Sequence, residues 1–311
     1  MHVFSNILGI FAFDEKLDIV EKVSFGYLME EDEKKKIIGE FAKKYQGFSE
    51  PDSKTLCQML QKLRTDEFTG QFRKLNTELS KRGVRDSVKE DILLIQSIKT
   101  IEETDRAINL LAKRLREWYE MHNPEFSRKA HDNERFVAMI LENEKKELLA
   151  KIGIDEKESL GADLEQENLE PIRNLGQQIF DLFQLKKAQQ DYISAIMDKI
   201  CPNTKAVCDV MIAAKLIEHA GSLKRLSEMP SSTVQVLGAE AALFRHMRTG
   251  AKPPRHGLIV GHALFANASQ KMHGKIARAL ADKISIAAKV DFFNGNFIGN
   301  QLRSQLEAKF K

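Results

Sequence analysis

Cysteine is scarce. Cys57, Cys201 and Cys208 are the three in 311 residues, too few and too uneven for a disulfide framework, so a reducing compartment is expected. Cys201 and Cys208 lie seven positions apart without a matching ligand pair, which argues against zinc. Aromatic content is low, at 7% with one tryptophan, Trp118. Long stretches rich in Ala, Leu, Ile, Glu and Lys then favour helices over a sandwich or barrel. No run approaches the ~18 apolar residues that a bilayer span needs. The opening Met-His-Val-Phe-Ser-Asn-Ile-Leu-Gly-Ile-Phe lacks a basic start and runs into Asp14 and Glu15. It reads as an early strand rather than a signal peptide, and a soluble, intracellular protein is expected.

Catalytic signatures are missing as well. No glycine-rich loop leads into Lys-Ser/Thr, and Thr249-Gly250-Ala251-Lys252-Pro253 does not qualify as one. Neither a nucleophile elbow, a metalloprotease helix nor a paired-carboxylate constellation is found. His256, His262 and His273 follow no metal-ligand spacing. The expectation is a binding protein with no catalytic residue, metal or cofactor of its own.

What is present is length, charge asymmetry and periodicity. The chain is long enough for two or three domains. Its net charge is +3, but residues 241–311 hold twelve Lys and Arg against three Asp and Glu. A basic end on an otherwise acidic chain suggests one region that meets a polyanion.

Residues 1–86 read as a small α/β domain. Val3–Phe13 and Val23–Met29 have strand character, Glu31–Tyr45 and Ser53–Leu63 helical character, and Gly47 and Pro51 punctuate the helices. Residues 87–200 read as two long helices with a helical cap between them. In the first, Leu94, Ile98, Ile101, Asp105, Ile108, Ala112, Leu115 and Tyr119 alternate four and three apart, a heptad seam with one polar break at Asp105. The second seam runs through Ile172, Leu175, Ile179 and Leu182 and resumes at Ile193, Ile196 and Ile200, weakened by Lys186 and Gln189. An antiparallel pair is expected, with Pro124 ending the first helix and Pro202 the second; a globular helical bundle fits the same periodicity. Residues 201–311 read as a helical C-terminal domain, with one helix over Lys205–His219 capped by Gly221 and another over Ser269–Val290. The fold class is therefore mainly α with a small α/β N-terminal domain, joined by a long antiparallel coiled coil to a helical C-terminal domain.

The segment Gly238–Gly257 carries the chemistry. A helix starting near Gly238 would offer free N–H groups and a positive dipole end to a phosphate. Arg245 and Arg248 sit three apart on one side of it. Lys252, Arg255 and His256 follow around Pro253-Pro254, which stiffens the loop. Arginine suits bidentate phosphate contact and stacking on unpaired bases, so a stiff cationic edge for RNA or DNA is expected; a basic surface kept for solubility fits the charge as well.

Gly238–Gly257 closely resembles the signature of the Nop-domain family. Three other pieces agree: Leu216–Gly238 resembles the lead-in, Gly274–Asp291 the closing helix, and Trp118-Tyr119-Glu120-Met121-His122-Asn123-Pro124-Glu125 the Trp-Tyr-x-x-His-x-Pro-Glu element. The resemblance covers roughly residues 88–310. It implies a scaffold of box C/D RNA-guided methylation particles, in which the N-terminal domain docks the fibrillarin methyltransferase. The coiled coil of such proteins pairs two copies, here through Leu94, Ile98, Ile101, Ile108, Leu115, Ile179, Leu182 and Ile193. The Nop domain grips a kink-turn guide RNA together with a small ribosomal-protein-like partner. By this resemblance the RNA and RNP contacts are Gly238, Ala239, Glu240, Arg245, His246, Arg248, Lys252, Arg255, His256, Lys275 and Arg278. S-adenosylmethionine is expected on the methyltransferase, and no membrane partner is implied.

Two departures stand out. Position 241 is Ala where the family commonly has Lys, and Ile259–Gln270 departs from the usual aromatic and proline-containing sequence. A short N-terminal domain and the lack of a Lys-rich tail after Lys311 look archaeal, which implies the cytoplasm; a eukaryotic member would be nucleolar. The rival readings are a splicing-type Nop protein without a methyltransferase partner, a coiled-coil adaptor whose basic end meets an acidic protein, and an enzyme in its own right.

Overall fold

The computed structural model describes residues 2–25, 31–44, 51–266 and 268–310. It divides into two compact units, residues 1–89 and 90–311.

In the first unit, β1 (His2–Ser5), β2 (Gly9–Phe13) and β3 (Ile19–Ser24) form an antiparallel sheet in that order. The stretch Val3–Phe13, expected as one strand, is a hairpin: Asn6 turns the chain, its side chain accepting from the Leu8 N–H at 2.8 Å. The expected second strand begins and ends earlier than Val23–Met29, and positions 26–29 lie outside the described residues, as do Tyr45 and Gly47. Every residue of β2 is buried because helices cover both of its faces. Phe11 and Phe13 pack with Met59, Leu63, Phe68 and Leu75, and Ile10 and Ala12 with Phe25 and Phe41. Phe41 comes from α1 (Glu31–Lys44), Met59 from α2 (Ser53–Lys62) with Leu63 just after it, and Phe68 and Leu75 from α3 (Asp66–Ser87), while Phe25 directly follows β3. The reading of the sequence missed the 22-residue α3, whose Phe72, Leu79 and Val84 are exposed while Phe68 and Leu75 alone are buried, so its apolar stripe is thin.

The second unit opens with α4 (Glu90–Tyr119). A tip of α5 (Pro124–Lys129), α6 (Asn133–Glu142) and α7 (Lys145–Lys151) follows, and α8 (Gln166–Ile200) returns antiparallel to α4. At 35 residues α8 is roughly 50 Å long. The expected seam is the packing surface: Leu94, Ile98, Ile101, Ile108, Ala112, Leu115 and Tyr119 are buried with Ile172, Ile179, Ile193 and Ile196, and Leu182 packs beside them. The polar breaks of the two helices meet each other. Lys186 bonds Asp105 at 2.6 Å, and the Ser97 hydroxyl donates to Gln189 at 2.5 Å. The seam side chains pack against each other within the one chain and close the hairpin on itself.

Pro124 does not end α4. That helix stops at Tyr119, and Pro124 is the first residue of α5, capped by Asn123, whose side chain accepts from the Phe126 N–H. The Trp-Tyr-x-x-His-x-Pro-Glu element is a clasp on the returning loop. The His122 ring bonds the Ala162 carbonyl at 2.9 Å, and Glu125 accepts from Leu160 N–H and the Ser159 hydroxyl at 2.7 and 3.0 Å. A side chain at Gly161 would meet the His122 carbonyl at 2.0 Å.

The C-terminal helices are α9 (Pro202–Cys208), α10 (Val210–Ala220), α11 (Leu223–Glu228), α12 (Ser231–Val236), α13 (Glu240–Thr249), α14 (Ala263–Ala266), α15 (His273–Phe292) and α16 (Gly299–Phe310). The single helix expected over Lys205–His219 is two, broken at Asp209, which takes φ +67°; Gly221 caps α10 in the left-handed region as expected. Helix α15 runs through the core, burying Ile276, Leu280, Ile284 and Ala287. At its end, buried Asp291 accepts four hydrogen bonds of 2.7–3.0 Å from the backbone and side chains of Asn203 and Thr204, capping the start of α9. The same core takes Leu94, Ile98, Ile193 and Met197, so the base of the α4–α8 hairpin is continuous with the C-terminal helices.

Candidate nucleic-acid interface

Residues 238–257 leave the body and return to it at adjacent points. Gly257 N–H donates to the Gln235 carbonyl and Leu258 N–H to the Leu237 carbonyl, both at 2.8 Å. The signature glycines permit this closure. Gly238 has φ +86°, where a side chain would strike Leu258 at 2.4 Å, and one at Gly257 would meet the Leu237 carbonyl at 1.9 Å.

Between these pins, α13 buries no residue. Arg245 and Arg248 are exposed on it together with Phe244 and Met247, which are 61% and 72% accessible. The expected open N-terminus is corrected: the helix starts at Glu240, and the Glu240 carboxylate accepts from the Gly238 N–H at 2.7 Å. Partial burial raises that carboxyl, but its bonds to the Gly238 and Glu240 N–H groups and the neighbouring His219 prevail and hold it below its usual range. A negative charge therefore sits beside the first turn, the place expected for a phosphate. Ala239 serves as the backbone cap. His246 turns inward, its Nδ1 bonded to the Ala251 carbonyl, so it holds the loop.

His256 is half-buried and stands edge-on to Phe265 at 5.7 Å, with His273 at 5.9 Å. Desolvation and the nearby His273 and Arg255 push its pKa down, so the neutral ring is favoured at neutral pH. His262 lies elsewhere, buried beside α9 and α16 and lining a separate cavity with Val207 and Arg303.

Next to the pins lies a cleft of about 500 Å³ lined by Gln235, Arg255, Lys271, Gly274, Lys275 and Arg278. The Gln235 side chain donates to the Arg255 carbonyl at 2.7 Å, fixing the loop that carries this arginine. Lys275 and Arg278 stand one turn apart near the positive end of the 20-residue α15. Among the described residues, no carboxylate lies within ion-pair distance of Arg255, Lys271, Lys275 or Arg278. Four cations without a carboxylate partner, with an amide beside them, have the chemistry that suits an anion. Of the residues expected at the interface, the fold brings Arg255, Lys275 and Arg278 together here. Arg245, Arg248 and Lys252 do not line the cleft; the two arginines are exposed on α13 and Lys252 on the loop after it. Sequence reasoning missed Lys271 and Gln235; the distance along the chain from Arg255 hides both, although Lys271 does sit four residues before Lys275.

Residues 100–311 match the Nop family, described as "snoRNA binding domain, fibrillarin". The chain belongs to the Nop family. Among its relatives is an uncharacterized NOP5 family protein of Methanocaldococcus jannaschii, 35% identical over 259 residues, covering 78% of this chain and 62% of the relative. Nucleolar protein 56 of Caenorhabditis elegans is 36% identical, covering 72% and 53%, and nucleolar protein 58 of Aspergillus fumigatus is 36% identical, covering 65% and 37%. The chain thus spans less than two thirds of the length of each of these relatives. Among solved structures, one described as a fibrillarin/Nop5p complex aligns with 99% of this chain and 98% of its own at 21% identity, with a TM-score of 0.47. Both the cationic cleft and the 238–257 excursion lie inside the Nop-matched residues, and the first unit lies outside them. No helix among the described residues is long and apolar enough to cross a membrane.

Proposed function

We propose that this Nop-family chain is a non-catalytic scaffold of a box C/D guide ribonucleoprotein. It binds a kink-turn guide RNA together with the small protein seated on that RNA, and it recruits fibrillarin, which carries the S-adenosylmethionine and methylates ribose 2′-hydroxyls. The observation that carries the reading is the cleft of Arg255, Lys271, Lys275 and Arg278 inside residues matched to a snoRNA-binding family. Such a cleft accepts phosphates without reading base identity. The exposed apolar pair Phe244 and Met247, beside Arg245 and Arg248, suits a surface shared by protein and RNA. Fibrillarin recruitment rests on the family description, which names fibrillarin, and its assignment to the first unit rests on the sequence resemblance, since that unit lies outside the matched residues.

Reconstitution tests this. Guide RNA, kink-turn protein and fibrillarin are combined with and without the chain, and 2′-O-methylation of a complementary target is measured. Methylation should depend on the chain. Equal methylation in its absence would sink the scaffold role, and methylation by the chain alone would make it an enzyme.

A further inference from the structure

The tip of the α4–α8 hairpin holds a second cavity, of about 580 Å³. Its floor is apolar, made by Phe126, Ala130, Met139 and Ile152, and its rim carries Lys129, His131, Arg135 and Lys151 with a single carboxylate, Asp132. That carboxylate is engaged in capping α6, where Asp132 accepts from the Glu134 N–H at 3.0 Å.

The rim cations differ from the others at this end. Lys145 pairs with Asp163, Lys146 with Glu156 and Arg128 with Glu120. Lys129 instead donates to the Ile152 carbonyl at 3.0 Å, and Lys151 to the Asn143 amide oxygen; both partners are neutral. Among the described residues, no carboxylate lies within ion-pair distance of Lys129, Arg135 or Lys151. None of them is ion-paired, they outnumber the one carboxylate of the rim, and they face an apolar floor.

The rim is also held in place. The Arg116 guanidinium bonds the Ser127 carbonyl and the Asn133 side chain, each at 3.0 Å, and lies 4.2 Å from the Phe136 ring centroid. It thereby fixes both ends of the segment carrying Lys129, His131 and Asp132. A ligand entering here meets a backbone already held in place and has mainly the exposed Arg135 side chain to order.

An apolar floor under a cationic rim matches a molecule with a flat body and a phosphate. We propose that this cavity binds a nucleoside 5′-phosphate group, with the base against Ala130, Met139 and Ile152 and the phosphate on Arg135 and Lys151. Its volume falls within the range of small-ligand sites. A free nucleotide and an unpaired nucleotide of an RNA strand share this chemistry. The site belongs to the hairpin and is independent of the C-terminal cleft.

The full chain is titrated with adenosine 5′-monophosphate, with inorganic phosphate, and with a short single-stranded oligoribonucleotide carrying 4-thiouridine, whose photocrosslinks are mapped to peptides. Binding of the monophosphate marks a free nucleotide as sufficient; crosslinks to the peptides holding Phe126–Arg135 or Met139 without it mark an RNA strand as the source. Either result supports the site. The Arg135→Ala/Lys151→Ala variant should weaken that binding roughly tenfold or more, while Lys146→Ala leaves it unchanged. Both replaced residues are exposed, and an unchanged thermal melt confirms that the variant is folded. Failure of both ligands to engage the tip overturns the proposal. So does inorganic phosphate binding as tightly as the monophosphate, because the floor would then contribute nothing. Crosslinks confined to residues 235–278 leave the C-terminal cleft standing and refute the tip site alone.

Discussion

Asp291 shows how much one side chain can organise. It sits at the end of α15, is 7% exposed, and satisfies four donors at the start of α9. Replacing it by Ala strands those donors in the interior, where each unsatisfied group is expensive. Asp291→Ala should lose about 3 kcal/mol or more, a midpoint lower by roughly 6–12 °C in thermal denaturation of a unit this size; a shift under about 2 °C would show that water replaces the cap. Two buried histidines set a pH dependence. Burial outweighs the Ala162 carbonyl at His122, and likewise outweighs Asp209 at His262, leaving both below the ordinary value of 6.5. The unfolded chain then binds more protons between the folded values and 6.5, so stability rises with pH in that window. It is fully present above 6.5 and is lost as the pH falls through the folded values. Melting followed from about pH 7.5 to about pH 5.5 should therefore show a falling midpoint, and His122→Gln with His262→Gln should flatten the slope; a midpoint that climbs on acidification would contradict the assignment. None of this was legible beforehand. Asp291 was visible as the end of a familiar helix, but its partners lie 87 and 88 positions away.

At the scale of elements, the hairpin was the most legible part because its seam obeys a period that few other structures share. The positions read as weaknesses, Asp105, Lys186 and Gln189, turn out to be rungs that face each other or Ser97 across the two helices. Helix α3 was missed for the opposite reason, since two buried residues seven apart leave almost no stripe. The break at Asp209 was missed because neither Gly nor Pro marks it, and a non-glycine residue adopts positive φ there. One further feature of the hairpin is open to test. Gly176 in α8 is buried, and an added Cβ would lie 3.4 Å from Leu141, an ordinary contact. Gly176→Ala should then stabilise by up to about 1 kcal/mol through helix propensity, whereas Gly176→Leu, with no room for its branch, should destabilise by about 1–3 kcal/mol. Urea denaturation of both variants checks the pair, and loss of stability in the Ala variant would mean that α6 packs more tightly against α8 than the contact distance implies. The 238–257 excursion depends on its pins in the same way. Gly257→Ala should release the loop and make it sensitive to limited proteolysis near Arg255, while the α4–α8 hairpin stays intact.

Over the whole molecule, the charge asymmetry was readable from composition, but not its arrangement. Twelve cationic residues beyond position 240 could have been spread evenly for solubility. Folding instead sets Arg255, Lys271, Lys275 and Arg278 around one cleft and leaves Arg245 and Arg248 on a projecting helix that buries nothing. The recognisable signature thus has two parts: glycines that close the base, and cations divided between two surfaces. Ala241 falls on the projecting helix and is exposed, so its departure from the lysine expected by resemblance bears on that surface and not on the cleft.

The central claim is that the cleft holds RNA phosphates in a complex with the kink-turn protein. The most direct measurement is the affinity of the chain for a kink-turn RNA already bound by that protein, as a function of salt, for the wild type and for Arg255→Ala/Lys275→Ala/Arg278→Ala. The variant should bind much more weakly at physiological salt, and its salt slope should be shallower by up to ~3 phosphate equivalents, with little affinity of either form for the naked RNA. Equal affinity and equal slope for the two proteins would contradict the account.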